Sequence, residues 1–236
     1  MTRKQSGFSL LELLIVLIVL LVISGVILRV INLAGQRSAS EQAKLDMFQE
    51  AREFMDQMSR DLRQAGYPSP RNLDPSVFTE NPFINDDHAA AGLVKVDGTD
   101  LWFEGDMDGH GEVSVVRYHL DTSTTNGCPC LRRSQVAKID GDPLTGQAAE
   151  EYQIEVQGVQ NTAVFSAYTN GVAQSLPLDT TTSGGITIAN IDTVQGVLTL
   201  KASNLDPETR KKPVTTLVTT VRLNNCSQAA IGSKTS

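Results

Sequence analysis

The chain has 236 residues and a formal net charge of −7. This acidic balance argues against nucleic acid as a general electrostatic partner. The length leaves room for one soluble domain of ordinary size once an apolar segment at the N-terminus is set aside. Much of the 40% hydrophobic content lies in the first 34 residues, so we expect only a modest core in the remainder.

The first element is an apolar segment that opens with the motif Gly7-Phe8-Ser9-Leu10-Leu11-Glu12. The 23 residues from Phe8 to Val30 are nearly all apolar. As a helix they would span about 34 Å, which is enough to cross a bilayer core of about 30 Å. Glu12 is unexpected there, because an ionised acid at mid-depth costs roughly 2.5–3.5 kcal/mol on insertion scales. We therefore expect a cationic partner for its carboxylate.

The residues around the motif offer such a partner. Arg3 and Lys4 form a short basic head, which the positive-inside rule places on the cytoplasmic side of the membrane. If the chain were cut after Gly7, the new amine on Phe8 would lie four residues from Glu12, one helical turn away. The amine of a neighbouring copy, shifted along the membrane normal, could serve equally well.

The run G-F-S-L-L-E-L, with a basic leader before it and an apolar helix after it, resembles the cleavage and methylation motif of type IV prepilins. In that family a dedicated peptidase cuts after the glycine, the new N-terminal phenylalanine is N-methylated, and the glutamate guides docking of subunits into a fibre. The resemblance implies that Gly7 and Phe8 flank the cleavage site and that Glu12 acts in assembly.

Two simpler interpretations of this segment stay open. A secretory signal peptide would be cut after its apolar core, for example near Val22-Ile23-Ser24. A plain single-span anchor would keep the segment intact. Neither interpretation explains Glu12.

Beyond Val30 the apolar run changes into an amphipathic pattern with spacings of three and four, which predicts that the helix continues. Gly66 suits a left-handed C-cap and Pro68 cannot continue the helix, so we expect the helix to end there. The predicted buried stripe is Leu45, Phe48, Ala51, Met55, Met58, Leu62 and Ala65. We divide the chain into a leader (1–7), a transmembrane and assembly helix (8–34), its amphipathic continuation (35–66) and a periplasmic β-rich domain (67–236).

The end of this helix carries the run Arg60-Asp61-Leu62-Arg63-Gln64-Ala65-Gly66-Tyr67. This run resembles the helix end of PilW-like minor pilins and of the related J-type pseudopilins of type II secretion. The resemblance implies a pilin-like α+β fold, in which the first half of the long N-terminal helix spans the membrane and the second half packs on an antiparallel sheet.

Residues 67–91 hold four of the nine prolines, which indicates an irregular connection. Short apolar runs bounded by turn residues follow, as in an antiparallel meander. The predicted strands are Leu93 to Val96, Leu101 to Glu104, Val113 to Leu120, Leu131 to Ile139, Tyr152 to Val156, Ala163 to Tyr168, Ile186 to Ile191, Gly196 to Ala202 and Thr215 to Leu223.

A metal site is a weak hypothesis for the segment from Asp106 to Val113. Asp106, Asp108 and Glu112 alternate as in the front of a calcium loop, and Gly109 and Gly111 allow sharp turns. The twelfth position, however, is an arginine where a bidentate glutamate is needed. We therefore interpret the segment as a tight glycine-rich turn between two strands and expect no metal.

The three cysteines are Cys128, Cys130 and Cys226. An oxidising compartment favours one pair among them. Because a ring from Cys128 to Cys130 with Pro129 inside it would be very tight, we expect a long-range bridge from Cys226 to Cys128 or to Cys130. Three reduced thiols are the alternative, since spacing does not determine connectivity.

Catalysis has little support. The sequence contains no Gly-x-Ser-x-Gly, P-loop or His-Glu-x-x-His motif. We expect His88, His110 and His119 to lie in a loop, a turn and a strand as solvated or packed side chains rather than general bases. The cluster Arg210-Lys211-Lys212 indicates an exposed hairpin tip. The sequence therefore predicts a protein that is not an enzyme and has no cofactor.

The resemblance implies a minor pilin or pseudopilin that helps to initiate or cap a type IV pilus. Its partners would be prepilin peptidase and other major and minor pilins. It would sit in the inner membrane as a single-pass protein with its C-terminal domain in the periplasm, before entering the pilus or pseudopilus. The alternatives are a tip subunit of a type II secretion pseudopilus, and a pilus-tip adhesin or DNA-uptake minor pilin.

Overall fold

The structure is a computed structural model that describes residues 9–69, 72–124, 128–181, 187–202, 204–206 and 209–224. The chain divides into two compact units. The first comprises Met1–Leu45 and Ser203–Pro213, with 8 Lys and Arg against 4 Asp and Glu, and we call it the basic unit. The second comprises Asp46–Ala202 and Val214–Ser236, with 12 Lys and Arg against 23 Asp and Glu, and we call it the acidic unit.

One helix, α1 (Leu10–Gln64), runs through 55 residues. Its end is fixed as the sequence predicts: Gly66 takes a φ of 80° in the left-handed region, where glycine has no steric penalty. The Gly66 N–H donates to the carbonyl oxygen of Glu104 at 2.8 Å. Gly105 lies so close that a Cβ there would be 2.5 Å from the Gln64 carbonyl oxygen, so the helix end and the strand need glycine at this crossing.

Within the acidic unit, α1 buries one stripe against the core. The predicted positions Ala51, Met55, Met58, Leu62 and Ala65 are confirmed as buried. The prediction of burial is wrong for Leu45 and Phe48, whose side chains remain 55% and 44% exposed. They precede Ala51, which is the first helix residue among the buried members of the core cluster.

Phe54 belongs to the buried stripe although the predicted set did not include it. It is 2% exposed. Its ring packs edge-on against Tyr118 of the sheet, with the ring centroids 5.5 Å apart. Phe54 also fits the three-and-four spacing, three residues after Ala51 and four before Met58, but the prediction took only its neighbour Met55.

The β structure forms two antiparallel sheets. Consecutive strands β1 to β5 form a meander in the first sheet, whose order is β5-β4-β3-β2-β1-β8. The order in the second sheet is β10-β9-β6-β7. The strands are β1 (Leu93–Val96), β2 (Asp100–Gly105), β3 (Ser114–Asp121), β4 (Cys130–Ala137), β5 (Gln153–Gln157), β6 (Phe165–Thr169), β7 (Val172–Ala173), β8 (Leu178–Asp179), β9 (Thr193–Lys201) and β10 (Val214–Arg222).

The expected α+β class with antiparallel sheets is confirmed, and eight of the nine predicted strands are present with ends shifted by three residues or fewer. The strand predicted over Ile186 to Ile191 is wrong, because residues 187–189 are helical. Ile188 and Ile191 are both buried and lie three residues apart, on one side of that turn. A short apolar run fits a buried strand and a buried helical turn equally well. The two-residue strands β7 and β8 were not predicted.

A buried polar cluster ties α1 to the first sheet. The Tyr118 hydroxyl donates to Asp61 Oδ2 at 2.7 Å, and Arg133 Nε donates to the same oxygen at 2.9 Å. Burial raises the pKa of Tyr118 well above its ordinary value, and the neighbouring Asp61 carboxylate raises it further. The hydroxyl therefore stays protonated and donates. The charged run around Asp61 gave no sequence signal for this contact.

Candidate assembly site

The first half of α1 exposes its apolar side chains. Leu10 is 84% exposed, and Leu33, near the end of the apolar run, is still 45% exposed. By length and composition this stretch could cross a membrane, and none of its most apolar window is buried within the chain. Apolar surface of this extent is unfavourable in water, so lipid or other protein surfaces must cover it.

Glu12 lies in the first turn of α1 and is exposed. The Glu12 N–H donates to the carbonyl oxygen of Ser9 at 3.0 Å. A carboxylate in a first turn is favoured by the partial positive charge of the helix N-terminus. Gly7 and Phe8 lie outside the described residues, so the pairing of Glu12 with the Phe8 amine and the cleavage between Gly7 and Phe8 stay predictions.

The candidate calcium loop is the turn between β2 and β3. Asp106 Oδ1 accepts the Gly109 N–H at 2.7 Å, and Asp106 Oδ2 accepts the Gly111 N–H at 2.9 Å. Both glycines have φ near +80°, at 76° and 88°. The glycine-rich turn is therefore confirmed. The structure does not bring Asp106, Asp108 and Glu112 together as three ligands around one point.

Each of the three histidines lies beside an aspartate. His88 and His110 are in loops, and His119 is on β3, as the sequence predicted. His119 Nδ1 lies 2.7 Å from Asp100 Oδ1, and this contact raises the pKa of His119 although burial lowers it. The His119 ring also packs against Tyr152 in a tilted arrangement, with the ring centroids 5.7 Å apart, which marks a packed side chain on the sheet surface.

The cysteines pair differently from the expectation. Cys128 forms a disulfide with Cys130, two residues along the chain. The predicted bridge from Cys226 to Cys128 or to Cys130 is corrected by this pairing, because neither sulfur is left for a third cysteine. The turn that enters β4 brings the two Cα atoms to 4.3 Å, just below the usual range for bridged cysteines, so the small ring closes. Cys226 lies outside the described residues.

A buried ion pair, which the sequence did not reveal, joins β2 to the residue that follows β4. Lys138 Nζ donates to Glu104 Oε2 at 2.8 Å, and both side chains are fully buried. Lys138 Nζ also donates to the carbonyl oxygens of Ile84 and Ala89, at 2.7 and 2.6 Å. Burial raises the pKa of Glu104, and the Lys138 ammonium lowers it in part. One ammonium thus holds both ends of the 84–89 loop.

Asp86 organises the same loop. It is fully buried and accepts the backbone N–H groups of Thr79, Glu80 and His88, at 2.7, 3.3 and 3.0 Å. Burial raises the pKa of Asp86, but the hydrogen bonds from His88 and Thr79 outweigh it and hold the pKa at about 2. The irregular connection expected over 67–91 is thus fixed by one carboxylate and one ammonium rather than by regular secondary structure.

Comparison with known proteins connects the N-terminal segment to a family model. Residues 2–28 match the prokaryotic N-terminal methylation motif. A type IV-like pilin from Thermus thermophilus aligns with 78% of this chain and 100% of its own, at 12% identity and a TM-score of 0.47. A search of the curated proteins finds no match.

The chain is thus an α+β protein whose exposed apolar helix begins with an N-terminal methylation signal. The resemblance drawn from Gly7, Phe8 and Glu12 is confirmed at the level of that signal.

Proposed function

We propose that the chain is a minor pilin or pseudopilin that helps to initiate or cap assembly of a type IV pilus. Prepilin peptidase cuts it between Gly7 and Phe8, and Phe8 is then N-methylated. The observation that carries the proposal is the methylation motif at residues 2–28, which leads directly into a helix with exposed apolar side chains. Lipid covers that surface before assembly, and the helices of other major and minor pilins cover it in the fibre.

Glu12 sets the axial register between neighbouring subunits when the contacts of α1 with lipid are replaced by contacts with other helices. In a low dielectric, opposite charges attract far more strongly than in water, and an unpaired carboxylate is costly. The Glu12 carboxylate of an incoming subunit pairs with the Phe8 amine of its neighbour, so the favoured axial position is the one that joins the two charges. Apolar contacts along α1 favour no particular axial position, and they contribute binding affinity between the subunits.

The chain lies in the inner membrane as a single-pass protein, with the acidic unit in the periplasm. Arg3 and Lys4 support this orientation through the positive-inside rule. The disulfide between Cys128 and Cys130 suits an oxidising compartment. A tip subunit of a type II secretion pseudopilus would share all these features. The surplus of acidic residues in the acidic unit weighs against a DNA-uptake role for its surface.

The experiment compares Glu12→Ala with Glu53→Ala in cells that depend on this chain for fibres. Glu53 is an exposed carboxylate on the same helix, beyond the apolar stretch, and serves as the matched control. We expect Glu12→Ala to lower the number of surface fibres by at least about tenfold, since it removes a charge pair in low dielectric. Glu53→Ala should leave the number unchanged.

Mass spectrometry of the mature chain completes the test. Both variants should begin at N-methylated Phe8, which shows that processing is intact and that the loss lies in assembly. Normal fibre numbers with Glu12→Ala would remove the mechanism. A mature chain that retains Met1, or that begins near Gly25, would remove the pilin assignment itself.

A further inference from the structure

The basic unit contains a cleft at the end of the apolar run of α1. Its helix side includes Leu33, Gln36 and Ser40, and its other side includes Leu205 and Arg210 from the 204–213 segment. Its volume is about 570 Å³. Ser40 is 4% exposed, and its hydroxyl has no hydrogen-bond partner in the part of the chain that the structure describes. The cleft therefore has an unused hydroxyl group, and its lining also includes the Asp206 carboxylate, which pairs with Lys44.

The position of this cleft along α1 corresponds to the headgroup layer of a membrane. About 20 helical residues span the hydrocarbon core, so a helix that enters at Leu10 leaves it near Arg29. Leu33 and Gln36 then lie about 5–10 Å further out, within the layer of lipid phosphates. Leu205, which is 58% exposed, lines the same cleft as these helix residues.

The charge of this region is opposite to that of the chain as a whole. Between them, residues 29–45 and 203–213 carry 6 basic and 3 acidic residues. Two of the acids, Glu41 and Asp206, pair with Lys44 at 2.6 and 3.2 Å. Arg210, Lys211 and Lys212 are exposed. This surface complements anionic groups.

We propose that the cleft and the exposed Arg210-Lys211-Lys212 cluster bind the phosphate headgroups of anionic phospholipids in the outer leaflet of the membrane that α1 spans. Leu205 enters the interface, and the three basic side chains contact phosphates. This inference rests on the membrane-resident stage of the proposed function. Its consequence is that anionic lipid retains the subunit in the membrane until other pilins displace it.

The test uses full-length protein in vesicles of phosphatidylcholine, with and without phosphatidylglycerol. A tryptophan at position 205 (Leu205→Trp) reports contact with lipids that carry a spin-label quencher at the headgroup. Val172→Trp, at a 64% exposed position in the acidic unit, is the matched control. Leu20→Trp, with quenchers on the acyl chains, reports whether α1 has inserted. The unsubstituted protein gives the background from Trp102, its single tryptophan.

We expect Leu205→Trp to be quenched in vesicles with phosphatidylglycerol and only weakly in phosphatidylcholine alone, while Val172→Trp is quenched in neither. Joint substitution of Arg210→Gln, Lys211→Gln and Lys212→Gln should lower the ratio of docked to undocked segment by about a hundredfold. High salt should act in the same direction.

Two results overturn the inference alone: Leu20→Trp is quenched but Leu205→Trp is not, or Leu205→Trp is quenched equally in neutral and anionic vesicles. The first would mean that the 205–212 surface does not contact the headgroups, and the second that the contact is apolar only. If Leu20→Trp itself escapes acyl-chain quenching, the membrane stage of the proposed function fails, and this inference fails with it.

Discussion

The basic unit and the acidic unit hold their described residues in place by opposite means. In the acidic unit, helix residues from Ala51 onward and both sheets enclose an apolar core, and the buried ion pair and the Asp86 hydrogen bonds fix its loops. In the basic unit, most side chains of α1 are exposed, and the ion pairs of Lys44 lie near the surface.

The difference teaches where each unit obtains its stability. The acidic unit buries its apolar side chains within the chain, so its fold is encoded internally. The basic unit depends on its surroundings, because isolated helices gain little stability without packing. The proposed function uses this division: the acidic unit stays constant, and the basic unit exchanges contacts with lipid for contacts with other subunits.

The largest effect that would sharpen this comparison is expected inside the acidic unit. Lys138→Met removes the ammonium that pairs with Glu104 and leaves a buried carboxylate without its counter-charge. We expect the free energy of unfolding to fall by about 3–5 kcal/mol. Urea unfolding of the full chain in detergent, followed by Trp102 fluorescence, measures it. Lys201→Met, at an exposed end of β9, is the control and should change stability little.

A second substitution in the same background tests the cause. Glu104→Gln combined with Lys138→Met removes the charge that was left unpaired, so part of the lost stability should return. If the double variant is as unstable as Lys138→Met alone, the hydrogen bonds of Lys138 to the 84 and 89 carbonyl groups, rather than the ion pair, stabilise this loop.

A smaller effect on the free energy of unfolding is expected when Asp86 becomes protonated at low pH. Its pKa of about 2 lies below the ordinary value of 3.8, so its contribution is complete above about pH 4 and is lost as the pH falls towards 2. We expect a contribution of about 2 kcal/mol. Asp86→Asn should lower stability at neutral pH and flatten its decline in acid. Asp56→Asn, at an exposed position, should change neither the stability at neutral pH nor its decline at low pH. If stability declines equally at low pH in both variants, Asp86 is not the group responsible.

The smallest effect is expected in the basic unit. Lys44→Met removes the ion pairs with Glu41 and Asp206. Because such pairs near the surface contribute little, hydrogen exchange at the Arg210 amide, which donates to the Asp206 carbonyl oxygen, should rise by no more than about fivefold. High salt should reproduce most of this rise in the unsubstituted protein. A larger rise would mean that the basic unit is held together internally, and the comparison would fail.

The sequence predicted most of the elements, for identifiable reasons. Gly66 and Pro68 defined the helix end because backbone geometry there depends on those residue types alone. Strands bounded by turn residues were predicted with small errors at their ends. The strand over Ile186 to Ile191 failed because a short apolar run has no periodicity that separates a strand from a helical turn.

The sequence by itself determined the processing signal and the exposed apolar helix, since both are written in consecutive residues whose chemistry needs no distant partner. Only the tertiary structure decided which polar residues meet: Asp61 with Tyr118 and Arg133, Glu104 with Lys138, and Cys128 with Cys130 rather than with Cys226. Such pairs join separate strands, loops and the helix, or depend on the path of a single turn. A charge or a thiol in the sequence carries no record of the atom that folding brings beside it.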